Sequence, residues 1–372
     1  MKGIKNETSV KERTRHYAEK IGLPLLGIAS PEPLFHLYKL LEERKRDGLD
    51  SPFEKRWKPE SRCRPDLLLP SVRSIICVGM PYYSQSIDNV PSLWGVSRFA
   101  RGRDYHMVLK EKLELLAEFL GDLTGPGFEY RAAVDSVPLV ERALAHRAGL
   151  GWYGKNNLLI NPDYGSWFVI GELLTNIPLE PDAGPEENCG DCELCLKACP
   201  TGALVEPYKI DAKKCLSCLT QVKEPVPAGL REKFGGSIFG CDICQEVCPK
   251  NRQLYGTGKN VETGNFTEFL TALFDISEIE FKGRYGTAGF AWVGTELLRR
   301  NAALVLGCKG KEEYIPVLAK ALTSPSPQVR SHGAWALAHM GGEKTRKLLE
   351  QHLALELDGE VKREIKKAIE CV

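Results

Sequence analysis

Apolar residues change rhythm along this chain. In the first part they come as short unbroken runs: Ser74-Ile75-Ile76-Cys77-Val78-Gly79-Met80, stopped by Pro81, and later Trp167-Phe168-Val169-Ile170. Runs this short, bounded by a breaker, suit buried strands. Tyr105 to Leu120 instead carries apolar residues at helical spacing, and Val140 to Ala148 does so until Gly149 closes it. The pattern predicts an α/β unit that ends in a linker near Pro178 to Pro185, where Pro, Gly and acidic residues gather.

The middle, roughly 186 to 255, holds too little apolar sequence for a large core of its own. From about 290 the texture turns helical, with a weak repeat. Leu298-Arg299-Arg300-Asn301-Ala302-Ala303-Leu304-Val305-Leu306 aligns with Val329-Arg330-Ser331-His332-Gly333-Ala334-Trp335-Ala336-Leu337 at an offset of 31, and Val361-Lys362 opens a poorer third copy. That period, with small residues where helices would touch, resembles HEAT-type helical pairs, which stack into surfaces for macromolecules. The expected fold class is α+β and multidomain: an α/β unit over 1–180, a ferredoxin-like unit over 181–255 and HEAT-like helical repeats over 280–372.

Bulk composition narrows the function classes. With 372 residues, 43% hydrophobic and 27% charged, the chain has ordinary globular composition and is neither fibrous nor disordered. Met1 to Lys20 is charged and lacks an apolar core, and no stretch approaches the run of about 18 apolar residues that a spanning helix needs. A cytoplasmic location is expected. The net charge of +1 hides an asymmetry, because residues 282–372 hold 15 Lys and Arg against 10 Asp and Glu. A basic end suits a polyanionic partner, although solvated helix faces give the same excess.

The cysteines carry the chemistry. Nine of thirteen lie between Cys189 and Cys248, and the first four read Cys189-x2-Cys192-x2-Cys195-x3-Cys199-Pro200. This is the spacing that holds a 4Fe-4S cluster in two-cluster ferredoxins, where the fourth Cys crosses to the other cluster. Cys241-x2-Cys244-x3-Cys248-Pro249 repeats its end. Two 4Fe-4S clusters are therefore expected, one on Cys189, Cys192, Cys195 and Cys248, the other on Cys199, Cys241, Cys244 and either Cys215 or Cys218. Zinc and disulfides are the rivals. Zinc has no use for the x3-Cys-Pro ending, and disulfides are unusual in a reducing compartment. Cys63, Cys77, Cys308 and Cys371 show no ligand spacing.

Three further blocks match neither a dinucleotide fingerprint nor a P-loop: Ser97-Arg98-Phe99-Ala100-Arg101-Gly102-Arg103-Asp104-Tyr105-His106, then Val134-Asp135-Ser136-Val137-Pro138, then Glu141-Arg142-Ala143-Leu144 with Ala148-Gly149-Leu150-Gly151-Trp152-Tyr153-Gly154-Lys155-Asn156. Together with the cysteine pattern and the helical tail, in this order over almost the whole chain, they resemble the epoxyqueuosine reductase family of cobalamin-dependent iron-sulfur enzymes. The resemblance implies reduction of an epoxide on a modified guanosine, at the wobble position of a tRNA anticodon, to the alkene of queuosine. Two electrons and two protons enter and water leaves. Electrons would pass from an external one-electron reductant through the clusters to cobalamin.

By the same resemblance Asp135 falls on the proton donor. Its neighbours Val134 and Val137 are apolar, and desolvation by them would raise its pKa and keep it protonated. The competing reading makes Asp135 the N-cap of the helix that follows. Arg56, Ser97, Asn156 and Ser217 fall with Asp135 on the family's corrinoid contacts, Ser97 standing where some relatives place Cys. His106 is a weaker candidate, as a cobalt ligand. The resemblance also favours Cys215 over Cys218 as cluster ligand and leaves Cys218 a buried free thiol. For tRNA the candidates are Lys223, Arg284, Trp292, Arg299, Arg300 and Asn301, and a monomer is expected. The competing functions are corrinoid reductive dehalogenation, against which the charged start and basic tail argue, and a two-cluster electron-transfer protein that would ignore cobalamin. A third is a helical scaffold whose clusters only staple the fold.

Overall fold

The computed structural model describes residues 9–83, 93–255 and 264–372; the first eight residues of the charged start lie outside them. Four strands form the sheet of the first unit: β1 (Leu25–Ala29), β2 (Ser74–Pro81), β3 (Tyr130–Ala133) and β4 (Phe168–Thr175), in the order β1-β2-β4-β3 with every pair antiparallel. The apolar run of β2 reflects its place between β1 and β4, covered on both faces. One face carries Ile76, Val78 and Leu173 against Leu109, Leu113 and Leu116 of α1 (Tyr105–Thr124). The other carries Ile75, Cys77 and Leu174 against Ala143 and Leu144 of α2 (Glu141–Arg147).

Beyond the sheet, two one-turn helices, α3 (Leu194–Ala198) and α4 (Ile243–Glu246), pack on each other and present the cysteine loops. The last five helices of the chain are α5 (Gly294–Lys309), α6 (Ile315–Leu322), α7 (Pro327–Met340), α8 (Glu343–Leu355) and α9 (Gly359–Glu370). The two aligned stretches sit on α5 and α7, and the third copy falls on α9. Small residues let these helices approach closely. A Cβ on Gly307 of α5 would stand 2.7 Å from the Cβ of Ala336 on α7, and one on Gly333 would stand 2.7 Å from that of Ala321 on α6.

The repeat is not a free-standing appendage. One continuous core joins Leu298, Val305, Leu337 and Ile365 of the helices to Phe239 and Ile238 near the cysteines and to Val96 and Ala100 before α1. A second cluster packs Leu304 against Leu216, Leu219, Val226 and Phe234. Among the described residues no helix is long and apolar enough to cross a membrane.

Candidate active site and cluster-binding cysteines

Asp135 follows β3 by two residues and holds a left-handed backbone, φ 49°. It caps no helix. The cap of α2 is Val140, which makes no side-chain capping bond. The Asp135 carboxylate instead meets the first residues of α1. The Tyr105 hydroxyl donates to Asp135 Oδ2, and His106 Nε2 stands 3.4 Å from the same oxygen. His106 Nδ1 lies 2.7 Å from Asp104 Oδ1, and the Asp104 carboxylate also accepts the His106 backbone N–H as the N-cap of α1. Both ring nitrogens therefore face carboxylates. In this geometry neither ring nitrogen of His106 is presented to a metal.

The electrostatics correct the expected state of Asp135. Burial pushes its carboxyl up, but hydrogen bonds with His106, Glu141 and Tyr105 outweigh it and hold the group well below the usual carboxylate range. Its side chain stays 44% exposed, so Val134 and Val137 do not enclose it. Its neighbours are shifted the other way. Burial works against the charged form of His106, yet the bonds to Asp135 and Asp104 raise its pKa. Glu141 accepts the Asp135 backbone N–H at 2.5 Å, and burial followed by the charges of Glu172 and Asp135 pushes its carboxyl well up. A cavity of about 470 Å³ opens beside His106, lined also by Lys110, Arg131, Ser136 and Val137.

The cysteines divide into two groups. Cys195 feels Cys189, Cys248 and Cys192, and Cys248 feels Cys189 and Cys192. Cys241 feels Cys215 and Cys199, and Cys244 feels Cys241 and Cys215. Cys218 sits beside Cys215, and its other charged neighbours are Glu224, Glu54 and Arg44. Burial raises most of these thiols, Cys241 to about 12. Backbone N–H groups nevertheless converge on the sulfurs, from Leu204, Thr201 and Ala203 at Cys199, from Cys218 and Ser217 at Cys215, and from Asn251 and Lys250 at Cys248. Donors of this kind stabilise negative charge on thiolate and cluster sulfur, which suits an iron-sulfur group.

The corrinoid candidates are not alike. Arg56 is exposed and donates to the Asp135 carbonyl at 3.2 Å. Asn156 is buried and donates to the Cys244 carbonyl at 3.4 Å. Ser217 is half-buried, its hydroxyl accepting from Gln221. Ser97 is 4% exposed, its hydroxyl donates to Asp242, the residue after Cys241, and it lines a small cavity with Arg101, Cys241 and Asp242.

The residues of the basic cluster differ in exposure. Arg300 and Asn301 are fully buried. Arg300 donates to the carbonyls of Leu219, Val222 and Glu224, and Asn301 to those of Thr220 and Ile238. Arg299 is spent on the carbonyls of Leu273 and Ile276 at 2.7 and 2.6 Å. Arg300 and Asn301 brace loops from within, while half-buried Arg299 lines a cavity of about 480 Å³ with Lys223. Lys223, Arg284 and Trp292 stay at the surface, Trp292 55% exposed with its ring edge-on to Phe53.

Three family models match the chain. The one described as epoxyqueuosine reductase QueG, DUF1730 covers residues 62–136, the 4Fe-4S double cluster binding domain covers 188–251, and HEAT repeats cover 295–370. A curated epoxyqueuosine reductase of Bacillus cereus is 37% identical over 98% of this chain and 97% of its own length. The chain belongs to the epoxyqueuosine reductase family. A Staphylococcus aureus relative is 37% identical over 100% of this chain and 99% of its own length. Among solved structures, an epoxyqueuosine reductase with an epoxyqueuosine-modified tRNA-Tyr stem loop superposes with a TM-score of 0.89 at 37% identity, covering 97% of this chain and 98% of that one. A Bacillus subtilis family structure, with its catalytic loop swung out of the active site, gives 0.88 at 36% identity over 98% and 99%. The double-cluster match accounts for two 4Fe-4S clusters in the middle of the chain.

Proposed function

We propose that this chain reduces epoxyqueuosine to queuosine in tRNA, at the anticodon wobble position. The observation that carries the reading is 37% identity, over 98% of the chain, to a curated enzyme of that name. Asp135, with its proton-bearing neighbours, supports it, since opening an epoxide creates an alkoxide that must take a proton.

One cluster would be held by Cys189, Cys192, Cys195 and Cys248, the other by Cys199, Cys215, Cys241 and Cys244. Cobalamin is the proposed third cofactor. Its supply of a low-valent metal able to act on an epoxide carbon is chemistry that no side chain here offers. The donor set suits its amide periphery: Arg56, Asn156, Ser217 and Asp135 carry polar groups near the Asp135 loop and the second group of cysteines, and Ser97 lines a cavity beside Cys241. Lys223, Arg284 and Trp292 are the proposed tRNA contacts, two cations for phosphate and one ring for stacking. The physiological electron source is a one-electron donor, and the protein acts as a monomer in the cytoplasm.

The protein's own work in the reaction is proton management. His106, raised in pKa by two carboxylates, passes a proton to Asp135, which delivers it to the opening oxygen. Tyr105 fixes the Asp135 carboxylate through its hydroxyl. The test is anaerobic incubation of the reconstituted protein with cobalamin, a strong one-electron reductant and epoxyqueuosine-containing tRNA, then nucleoside mass spectrometry. Loss of one oxygen is expected. No conversion by protein with intact clusters and bound cobalamin would overturn the reading.

A further inference from the structure

β3 is an outer strand of the sheet, paired with β4 on one side alone. Along it runs the cavity of about 470 Å³ that opens beside His106. Residues 130–134 line it in unbroken sequence, and His106, Lys110 and Glu114, spaced one turn apart on α1, line it from the side. Ser136 and Val137, just past Asp135, line it as well, so the cavity reaches the loop that carries the carboxylate. Four residues of chain separate Arg131 from Asp135, a span of at most about 14 Å.

Two cations of this cavity are uncommitted. Lys110 and Arg131 are exposed, and neither side chain has a hydrogen-bond or ion-pair partner among the described residues. The acids close by are engaged with other groups. Glu114 accepts the Tyr130 hydroxyl at 2.7 Å, Glu111 pairs with Arg103, and Asp104 and Asp135 share His106. Strand alternation puts Arg131 on the face opposite Tyr130, whose hydroxyl reaches α1, so the strand edge has a cation on either side. Between them an edge strand offers unpaired backbone N–H and C=O groups. A single-stranded RNA backbone matches that set: phosphates take cations and N–H groups, and 2′-hydroxyls take carbonyls.

We propose that the free edge of β3 cradles the sugar–phosphate backbone of the substrate tRNA beside the reacting nucleotide, with Lys110 and Arg131 each taking one phosphate. This rests on the reading that the substrate is tRNA. The contact belongs to the first unit, whereas Lys223, Arg284 and Trp292 belong to the middle and the helical end. Binding here holds the nucleotide in place at Asp135, the kind of positioning that speeds a reaction without taking part in it.

The test replaces Lys110 and Arg131 by Gln, singly and together, in the protein with both clusters in place. Both side chains are exposed, so the variants should fold. Binding of an anticodon stem-loop RNA is measured from about 50 to about 200 mM salt. Each substitution should reduce the slope of log affinity against log salt by about 0.7, the value for one phosphate of a single strand, and the pair by about 1.4. Lys110→Arg should restore the slope. With epoxyqueuosine-containing tRNA as substrate, the loss should appear in KM rather than kcat. Cobalamin, whose nucleotide tail also carries a phosphodiester, should bind as before. Unchanged slopes in the double variant, weaker cobalamin binding with RNA affinity intact, or a fall confined to kcat would each overturn the proposal. If the unmodified chain binds the RNA but converts no substrate, the epoxide reading fails and the salt slopes still decide this one. If it binds no RNA, both fail.

Discussion

His106 Nε2 stands 3.4 Å from Asp135 Oδ2, and the other ring nitrogen of His106 stands 2.7 Å from Asp104. Two carboxylates thus hold one imidazole in its charged form. The raised pKa keeps the proton on His106 through its ordinary titration near 6.5, so the pair stays charged into a higher pH range.

Turnover should fall as pH rises through the raised His106 pKa, because the proton that His106 passes to Asp135 is lost there. In His106→Gln that alkaline limb should disappear and the maximal rate should drop. The same pair contributes to stability. A His whose folded pKa is raised stabilises fully below its unfolded value and loses that contribution as pH climbs through the folded one. Rate profiles and melting curves across pH check both statements.

Asp135→Asn should lower turnover by about two orders of magnitude or more, the usual worth of a positioned acid. Iron content and tRNA affinity should stay as they are, because the contacts of Asp135 are with Tyr105, His106, Arg56 and Glu141, none of which lies in the cysteine loops or the repeat. Asn still tolerates the left-handed backbone at φ 49°, so the variant should fold. Single-turnover nucleoside analysis, iron assay and filter binding separate the three quantities.

Cys215→Ser should halve the iron content, whereas Cys218→Ser should leave it intact. Cys215 shares its surroundings with Cys199, while Cys218 is turned toward Glu224, Glu54 and Arg44. Iron and sulfide analysis with electron paramagnetic resonance of the reduced proteins checks this. Equal losses in both variants would contradict the ligand assignment.

Arg300→Met should destabilise the protein by about 3 kcal/mol, since three buried carbonyls lose their donor. Arg300→Lys should rescue little, because an ammonium cannot span three acceptors set for a planar fork. Burial already pulls the Arg300 pKa down to about 10, a sign of how fully it is enclosed. Denaturant titration measures the loss. tRNA affinity measured well below the unfolding midpoint should be unchanged in both variants.

How much of this was visible in the residues alone depended on range. The β2 run could be read because a strand covered on both faces is apolar throughout. Tyr130–Ala133 could not, as it is an exposed four-residue edge strand, and Leu25–Ala29 gave too short a signal. Cysteine spacing is local, so it pointed to the grouping of the thiols directly. For His106 the sequence suggested a hydrogen-bonded residue at a helix start but not its partner Asp135, which lies 29 positions away. Arg299, Arg300 and Asn301 looked like a surface cluster because sequence does not reveal that backbone carbonyls wait for them. Glu172 did leave a signal that went unread, a lone acid inside the apolar stretch Phe168 to Leu174.

The core that runs from Val96 and Phe239 to Leu337 and Ile365 has a consequence for how such a chain can evolve or be engineered. The cysteine segment resembles a portable wiring cassette, yet excising it would strip Leu304 of its partners and uncover Phe290, which packs on Phe239. Cutting away the terminal helices would leave Leu216 and Leu219 facing water. Neither end can be traded for a foreign module without rebuilding the seam, so a chimera that swaps the helices alone should emerge insoluble.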